Sequence, residues 1–296
     1  MRLGLRHRTW YRYGREVALG PHVLRLHPAP HAPALVSSFA LSIGPARHVL
    51  RWQRDAQGNR VARVVFEERM DRLEIEASLV VELVPIDPFD FLLEPWAERF
   101  PFAGAPDTEL ERELAPCRDV DAAGPLLDSF MHSIDRASAP TTAFLVALNR
   151  RLAGEVRYLA RLEPGIRPPE ETLARGEGSC RDTSWLLVQV LRRLGFAARF
   201  ASGYLVQPGA DPGGAQDSAA LHAWCEAYLP GAGWVGLDPT SGLLAAEGHV
   251  PLAVAPSPRR AAPVSGTLEP VASQFGFEVE VVRLGAEIDG SAAAGR

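Results

Sequence analysis

The sequence predicts an α+β protein in which a β-rich first part precedes a mixed second part. Strand-like runs rich in β-branched and aromatic residues follow one another over residues 2–84, and proline-punctuated sequence then continues to residue 116. A long pattern without Gly or Pro, residues 179–194, comes later and is followed by three more strand-like runs. At 296 residues the chain is long enough for two domains with separate cores.

The first part is expected to be an antiparallel β-sandwich or a small open barrel. Several of its runs alternate polar with apolar residues, which is typical of half-buried strands. A hairpin loop is predicted over residues 55–59, DAQGN. We place the N-terminal β domain at residues 1–100, with its proline-rich connection extending to about residue 116. The six predicted strands are LRHRTWYRY, PHVLRLHP, LVSSFALSI, HVLRWQRD, RVARVVFEE and LEIEASLVVELVP.

The second part is expected to combine helices with a short antiparallel sheet. Apolar residues at helical spacing predict helices over 123–136 and 142–154. The strongest helix prediction is 179–194, with Ser179 as N-cap and Gly195 just past the end. The strand-like runs ARFASGYLV, HAWCEAYLP and WVGLDPT follow it.

The end of the chain completes the predicted organisation. The core is placed at residues 117–266, and a C-terminal strand, FGFEVEVVRL, with a flexible tail is placed at 267–296. The proline-rich stretch 250–266 is expected to be a solvated connection to that strand, with docking of a partner in extended form as the alternative.

Composition excludes several classes of protein. The net charge of -5 is spread over a chain without a basic block, so we expect no nucleic-acid partner. No apolar run reaches about 18 residues and no leader pattern opens the chain, so we expect neither a membrane segment nor export. Three cysteines are too few for a disulfide framework, which fits a reducing cytoplasm. All 31 basic residues are arginine, so an enzyme that joins acyl groups to lysine amines would find no acceptor among its own side chains.

Cys180 lies within one residue of the predicted start of the long helix. A helix start exposes backbone N–H groups and the positive end of the helix dipole, and both favour an anion such as a thiolate. The thiolate is the nucleophilic form of cysteine. The same N–H groups are placed to hold an oxyanion that forms when a carbonyl is attacked there. We therefore single out Cys180 as the candidate nucleophile.

His222 and Asp238 are predicted to meet across two neighbouring strands. His222 opens the run HAWCEAYL and Asp238 ends the next run, WVGLD. In an antiparallel pair the start of one strand lies beside the end of the next. The carboxylate would then accept from one ring nitrogen and fix the tautomer, while the other nitrogen faces Cys180.

Each of these three residues alone also has a purely structural explanation. A free cysteine is usually a small buried residue, and Asp before Pro commonly starts a turn, so only the joint placement indicates a site. A metal site of His222, Cys180 and Cys225 is not expected, because residues three apart on a strand point to opposite faces and a fourth ligand is missing. There is no calcium-loop motif, and we expect no cofactor.

Two long segments resemble the core motifs of bacterial transglutaminase-like proteins: GEGSCRDTSWLLVQVLRRLGFAARFASGYL and LHAWCEAYLPGAGWVGLDPTSGL. The preceding EVRYLARLEPGIRPPEETL resembles the approach to the nucleophile in that family. About the first hundred residues resemble the β domain that often precedes this core. The resemblance implies a papain-like core, in which the helix that bears the nucleophile packs on an antiparallel sheet. It also implies Cys180 as nucleophile, His222 as general base and acid, and Asp238 as the group that orients the imidazole.

The activity implied by the resemblance is acyl transfer at amide bonds through a thioester, as in a transglutaminase-like acyltransferase or a cysteine protease. The substrate would be a peptide, a protein or a small amide. The residues do not indicate whether an amine or water accepts the acyl group, nor the oligomeric state. A peptidase or amidase that uses water only, and a binding or scaffold module without activity, stay open as alternatives.

Two further residues are candidates for supporting roles. Tyr158 lies upstream, where related enzymes often supply a second oxyanion donor, and packing beside a helix is the alternative. Asp182 follows the nucleophile by two residues and either tethers the site loop or stabilises the first helical turn, of which the structural role is favoured. The loop over residues 207–219 is expected to gate the site.

Overall fold

Six antiparallel strands build the first part of the protein, in a computed structural model that describes residues 1–102, 108–161, 163–209 and 217–285. Each of them corresponds to one of the six predicted runs, so this part of the prediction is confirmed. Buried and less buried residues alternate along the sixth strand, because successive side chains point to opposite faces of a sheet. The strands are β1 (Arg2–Val17), β2 (His22–Leu24), β3 (Leu35–Gly44), β4 (His48–Arg54), β5 (Arg60–Phe66) and β6 (Met70–Glu82).

Short elements fill the region between the first part and the long helix. Two of the helices lie where the helical spacing predicted them, over 123–136 and 142–154. The elements are β7 (Arg99–Phe100), α1 (Thr108–Leu114), α2 (Pro125–His132), β8 (Ala139–Pro140), α3 (Thr141–Glu155), β9 (Arg157–Tyr158), α4 (Pro169–Arg175) and β10 (Glu177–Gly178).

The long helix α5 (Cys180–Arg193) begins and ends where the sequence predicts. Ser179 is its N-cap in extended conformation, and Gly195 follows the C-cap with a φ of 96°, a left-handed conformation that favours glycine. Nearly all of the helix is buried, from Asp182 to Arg192. Within the described ranges no helix is both long and apolar enough to cross a membrane.

Five antiparallel strands form the sheet on which α5 packs, and the short helix α6 (Pro258–Ala261) follows the last of them. The three predicted runs are its strands β11, β12 and β13, which confirms the antiparallel prediction. Their order across the sheet is β14-β13-β12-β11-β15. The strands are β11 (Ala198–Gln207), β12 (Ser218–Leu229), β13 (Gly233–Asp238), β14 (Leu243–Leu244) and β15 (His249–Ala255).

Residues 250–266 are not a solvated connection, and that prediction is wrong. Their first half is β15, in which every residue from Val250 to Ala255 is buried. The strand tolerates Pro251 because it lies at the sheet edge and next to a register shift against β11, where a missing N–H costs little. Four prolines in the stretch hid an apolar run, VPLAVA, that belongs to the core.

The end of the chain returns to the first part of the protein. Two strands, β16 (Val264–Ser265) and β17 (Ser273–Arg283), complete two four-stranded sheets with the orders β17-β1-β6-β3 and β16-β2-β5-β4. β17 pairs with β1 along eleven residues, from Leu3 opposite Arg283 to Tyr13 opposite Ser273. The predicted tail after residue 285, and most of the predicted gating loop, lie outside the described residues.

The two four-stranded sheets, here called the sandwich, share one hydrophobic core with the five-stranded sheet on which α5 packs, here called the core sheet. Apolar residues of both sandwich sheets cluster with Tyr204 and Val206 of β11 and with Val250 and Leu252 of β15. A second cluster lies between α5 and the core sheet. The sandwich therefore packs against the part of the core sheet formed by β11 and β15.

Two buried polar residues of the sandwich also bond to these strands. His7 on β1 is 1% exposed, and its Nδ1 lies 3.0 Å from the hydroxyl of Tyr204. Asn59, at the end of the predicted hairpin loop, donates to the carbonyl of Val254 at 2.8 Å and accepts from the N–H of Val254 at 3.0 Å. The side-chain amide of Asn59 thus occupies both outward backbone groups of one residue of β15.

Candidate active site

Cys180 is the first residue of α5, directly after the N-cap Ser179. Its side chain is partly exposed and packs at the edge of the core cluster beneath the helix. The backbone N–H groups of a first helical turn have no partner within the helix, so they point at whatever lies over the helix start. The structure therefore places the thiol of Cys180 at a position that stabilises an anion, and the thiol stays within reach of solvent.

His222 and Asp238 are brought together by the pairing of β12 with β13. The Nε2 atom of His222 lies 3.0 Å from Oδ2 of Asp238. Burial alone would lower the pKa of His222, but hydrogen bonds to Asp238 and to Cys180 outweigh it and raise this pKa to about 9. Cys180, His222 and Asp238 are thus one interacting group in the structure.

The carboxylate of Asp238 is held by four hydrogen bonds. Oδ2 accepts from His222 at 3.0 Å and from His249 at 3.3 Å. Oδ1 accepts from the backbone N–H of Thr240 at 2.9 Å and from its hydroxyl at 2.7 Å. Burial would raise the pKa of Asp238, but these donors and the neighbouring imidazoles hold it well below its usual value. The carboxylate of Asp238 is therefore ionised, and each of its oxygens accepts two hydrogen bonds. Its bonds to Thr240 also form the turn that is typical of Asp before Pro.

The hydrogen bonds assign different roles to the two ring nitrogens of His222. Nε2 donates to Asp238 and keeps its hydrogen whether or not the ring is charged. Only Nδ1 is then left to exchange a proton with Cys180. The contact between His222 and Asp238 is the one expected from the strand pairing, and Nε2 is the ring nitrogen that makes it.

Asp182 is fully buried and joins the start of α5 to the preceding loop. Its carboxylate accepts from the N–H of Ser179 at 3.0 Å, from the N–H of Arg167 at 2.8 Å and from the guanidinium of Arg161 at 2.9 Å. Burial would raise the pKa of Asp182, but the hydrogen bonds from Arg167 and Arg161 lower it instead. The side chain therefore caps the helix and tethers the loop at once.

Tyr158 lies on β9, opposite Gly178 of β10 in a short parallel pair just before the nucleophile. Its side chain is 53% exposed, so packing in the core is not its role. Partial burial and the negative charges of Cys180 and Asp238 raise the pKa of its hydroxyl. A phenol with a raised pKa keeps its hydrogen at neutral pH, so the hydroxyl of Tyr158 remains a donor.

Cys225 is fully buried in the cluster under α5, whereas Trp224 belongs to a separate cluster and stacks on His222 with ring centres 6.5 Å apart.

The three residues His222, Asp238 and His249 are, among the described residues, the group whose side-chain atoms could hold a metal ion, with ligand atoms within 4.8 Å of one another. His249 was missed because it lies outside the three predicted strand runs of the core, directly before the stretch 250–266 that was interpreted as a connection.

Comparison with known proteins agrees with this architecture. Residues 3–82 match the bacterial transglutaminase-like N-terminal region, and residues 128–239 match the transglutaminase-like superfamily. Uncharacterized proteins of Mycobacterium tuberculosis and Mycobacterium bovis are each 29% identical over 263 residues, covering 82% of this chain and 80% of theirs. A solved structure from Cytophaga hutchinsonii, described as a "putative cysteine protease", shares the fold at a TM-score of 0.68 with 17% identity, covering 97% of this chain and 92% of that one. The chain belongs to the bacterial transglutaminase-like family, with a transglutaminase-like core behind the N-terminal region of that family.

Proposed function

We propose that the protein is a thiol-dependent acyl-transfer enzyme that acts on amide bonds. The observation that carries the proposal is the placement of Cys180 at the start of α5, where it helps to raise the pKa of His222, together with the hydrogen bond between His222 and Asp238. A nucleophile, a base and an orienting carboxylate in this order are the parts that acyl transfer requires.

In the first step Cys180 gives its proton to Nδ1 of His222, and the thiolate sulfur bonds to the carbonyl carbon of the amide. The N–H groups at the start of α5 and the hydroxyl of Tyr158 stabilise the oxyanion that forms. The C–N bond then breaks, and Nδ1 of His222 gives its proton to the departing amine. The acyl group is left on the cysteine as a thioester.

In the second step water or a primary amine attacks the thioester, and Nδ1 of His222 accepts the proton of the attacking group. The C–S bond then breaks, which releases Cys180 as the thiolate and regenerates the pair of Cys180 and His222. Water yields a carboxylic acid and an amine yields a new amide, so the acceptor alone separates hydrolysis or deamidation from transamidation. Asp238 stays ionised throughout, because its four donors stabilise the charged form.

The nucleophile is tested with iodoacetamide, which alkylates thiolates. Cys117 and Cys225 are buried, so they act as internal controls when the label is located by mass spectrometry of peptides. We expect Cys180 to be labelled at pH 6 well above the rate of free cysteine, and the His222→Gln variant to lose that excess. Equal rates for Cys180 and free cysteine at pH 6 would refute an activated thiol.

The acceptor is tested with a glutamine-containing peptide, offered with and without a primary amine. Incorporation of the amine identifies a transferase, whereas acid products alone identify the water-only peptidase or amidase. The chain has no lysine, so its own side chains do not compete with the added amine as acceptors. The Cys180→Ala variant is the control, and cellular function that survives this substitution would favour the scaffold alternative.

A peptide, protein or small-amide substrate remains part of the proposal. The cytoplasmic location and the absence of nucleic-acid and membrane partners remain predictions from composition. The N-terminal region is proposed to act by supporting the core sheet, since it packs directly on β11 and β15.

A further inference from the structure

His249 is a second imidazole in the candidate site, and it lies ten residues beyond the matched core region 128–239. Its side chain is 11% exposed. The ring packs edge-on against Trp224, with ring centres 5.2 Å apart. Nε2 lies 3.3 Å from Oδ2 of Asp238, and Nδ1 lies 3.2 Å from the backbone nitrogen of Ala246. One ring nitrogen of His249 therefore faces a hydrogen-bond acceptor, the carboxylate of Asp238, and the other faces a donor, the backbone N–H of Ala246.

The two partners determine which nitrogen of His249 carries the hydrogen. The backbone N–H of Ala246 is a donor, so Nδ1 must offer a lone pair. The single ring hydrogen is then on Nε2, which donates to the carboxylate of Asp238. The contacts thus assign the Nε2–H tautomer to His249.

We propose that His249 is a positioning residue of the site, which holds Asp238 so that His222 keeps its hydrogen on Nε2 and presents Nδ1 to Cys180. Without His249 the oxygen Oδ2 has one donor instead of two, and the carboxylate is free to turn away from His222. Because the role of Nδ1 belongs to the proposed acyl transfer, this inference rests on the proposed function.

A metal ion held by the same three residues fits these contacts less well. Binding through Nε2 of His249 would move the ring hydrogen to Nδ1, which would then face the N–H of Ala246 at 3.2 Å. Two donors would oppose each other, and the partly buried N–H of Ala246 would lose its acceptor. The hydrogen-bonded arrangement satisfies every one of these groups.

The backbone around His249 is fixed well enough for such a role. Its N–H donates to the carbonyl of Ala246 at 2.8 Å, which closes the turn that leads into β15. His249 pairs with Leu205 of β11, and the next residue, Val250, is fully buried. The ring is therefore presented to Asp238 from a strand and not from a free loop.

Three variants test the role of His249. His249→Leu removes both polar contacts, His249→Gln keeps an N–H donor for Asp238, and Val250→Ala weakens the packing of the same strand without touching Asp238. The readouts are the alkylation rate of Cys180 at pH 6 and the melting temperature. We expect Cys180 to be alkylated about tenfold more slowly in His249→Leu than in the wild type, since loss of one hydrogen bond to a charged group has about this effect. The rate in His249→Gln should lie within about twofold of the wild-type rate, and the rate in Val250→Ala should equal it.

The outcomes separate this inference from the proposed function. A wild-type rate no faster than free cysteine overturns the proposed function itself. A fast wild-type rate with an unchanged His249→Leu rate overturns only the role of His249, as does an equal loss in His249→Gln and His249→Leu. Independently of activity, nitrogen-15 NMR of the histidine rings should show the Nε2–H tautomer for His249, assigned by its disappearance in His249→Gln; the Nδ1–H tautomer would refute the inference.

Discussion

His7 should make the protein acid-sensitive through a single buried imidazole. The ring is 1% exposed, with Nδ1 at 3.0 Å from the hydroxyl of Tyr204 and Nε2 at 2.9 Å from the hydroxyl of Thr9. Burial lowers the pKa of His7 from 6.5 to about 4. The unfolded chain therefore binds this proton more tightly than the folded protein does.

The size and sign of the effect follow from that difference. The contribution of His7 to stability is fully present above pH 6.5 and is lost as the pH falls towards 4. At pH 5 protonation of His7 in the unfolded chain shifts the unfolding equilibrium towards the unfolded state by a factor of about thirty. This corresponds to a loss of about 2 kcal/mol in the free energy of unfolding. In His7→Gln this loss is absent, because an amide does not titrate.

The measurement is urea denaturation of both proteins at pH 8 and at pH 5, followed by circular dichroism. Other groups that titrate in this range contribute equally to the two proteins, so the difference between their pH dependences isolates His7. We expect the wild type to lose about 2 kcal/mol more than His7→Gln between the two pH values. Equal losses would show that the ring is protonated or hydrated in the folded protein, and would refute the reasoning.

Three further predictions concern packing, a buried ion pair and alkaline pH. Gly203→Ala should destabilise the protein by more than about 3 kcal/mol, because a Cβ there would meet Trp224 at 2.7 Å and the carbonyl of Val250. Gly154→Ala is the control, since a Cβ there has open space around it, and it should leave the free energy of unfolding unchanged or increase it. Urea denaturation measures both variants. Arg161→Leu should cost about 2–3 kcal/mol, because it leaves a fully buried carboxylate with fewer partners; a loss below about 1 kcal/mol would contradict this. The raised pKa of His222, about 9, makes its contribution fully present below pH 6.5 and lost as the pH rises through 9, so wild type should lose more stability between pH 7 and pH 10 than His222→Gln.

Local chemistry made two parts of the candidate site predictable from the sequence, namely the helix start at Cys180 and the meeting of His222 with Asp238. A helix start is marked by its own residues, here Ser179 before Cys180 and Gly195 after the last turn. The meeting of His222 with Asp238 follows from two strands joined by a short turn. Both features depend on neighbours in the chain, so no knowledge of the tertiary fold was needed.

Long-range pairing explains what the sequence did not indicate. β15 is buried because the sandwich covers it, and nothing within the proline-rich stretch around it records that cover. His249 became visible only when this strand was placed beside Asp238. In the same way, β17 pairs with a strand more than 250 residues earlier, and its alternating pattern would fit any sheet edge.

The side-chain amide of Asn59 acts as one residue of a missing neighbour strand. It takes both outward backbone groups of Val254 on the edge strand of the core sheet, and the carbonyl of Pro251 is taken by the N–H of Ala29. An uncovered edge of this kind pairs readily with other chains. A fragment without residues 1–82 would expose that edge together with the apolar faces of β11 and β15, and we expect it to aggregate. Loss of activity in such a fragment would therefore report a collapsed catalytic sheet and carry no information on substrate recognition by the N-terminal region.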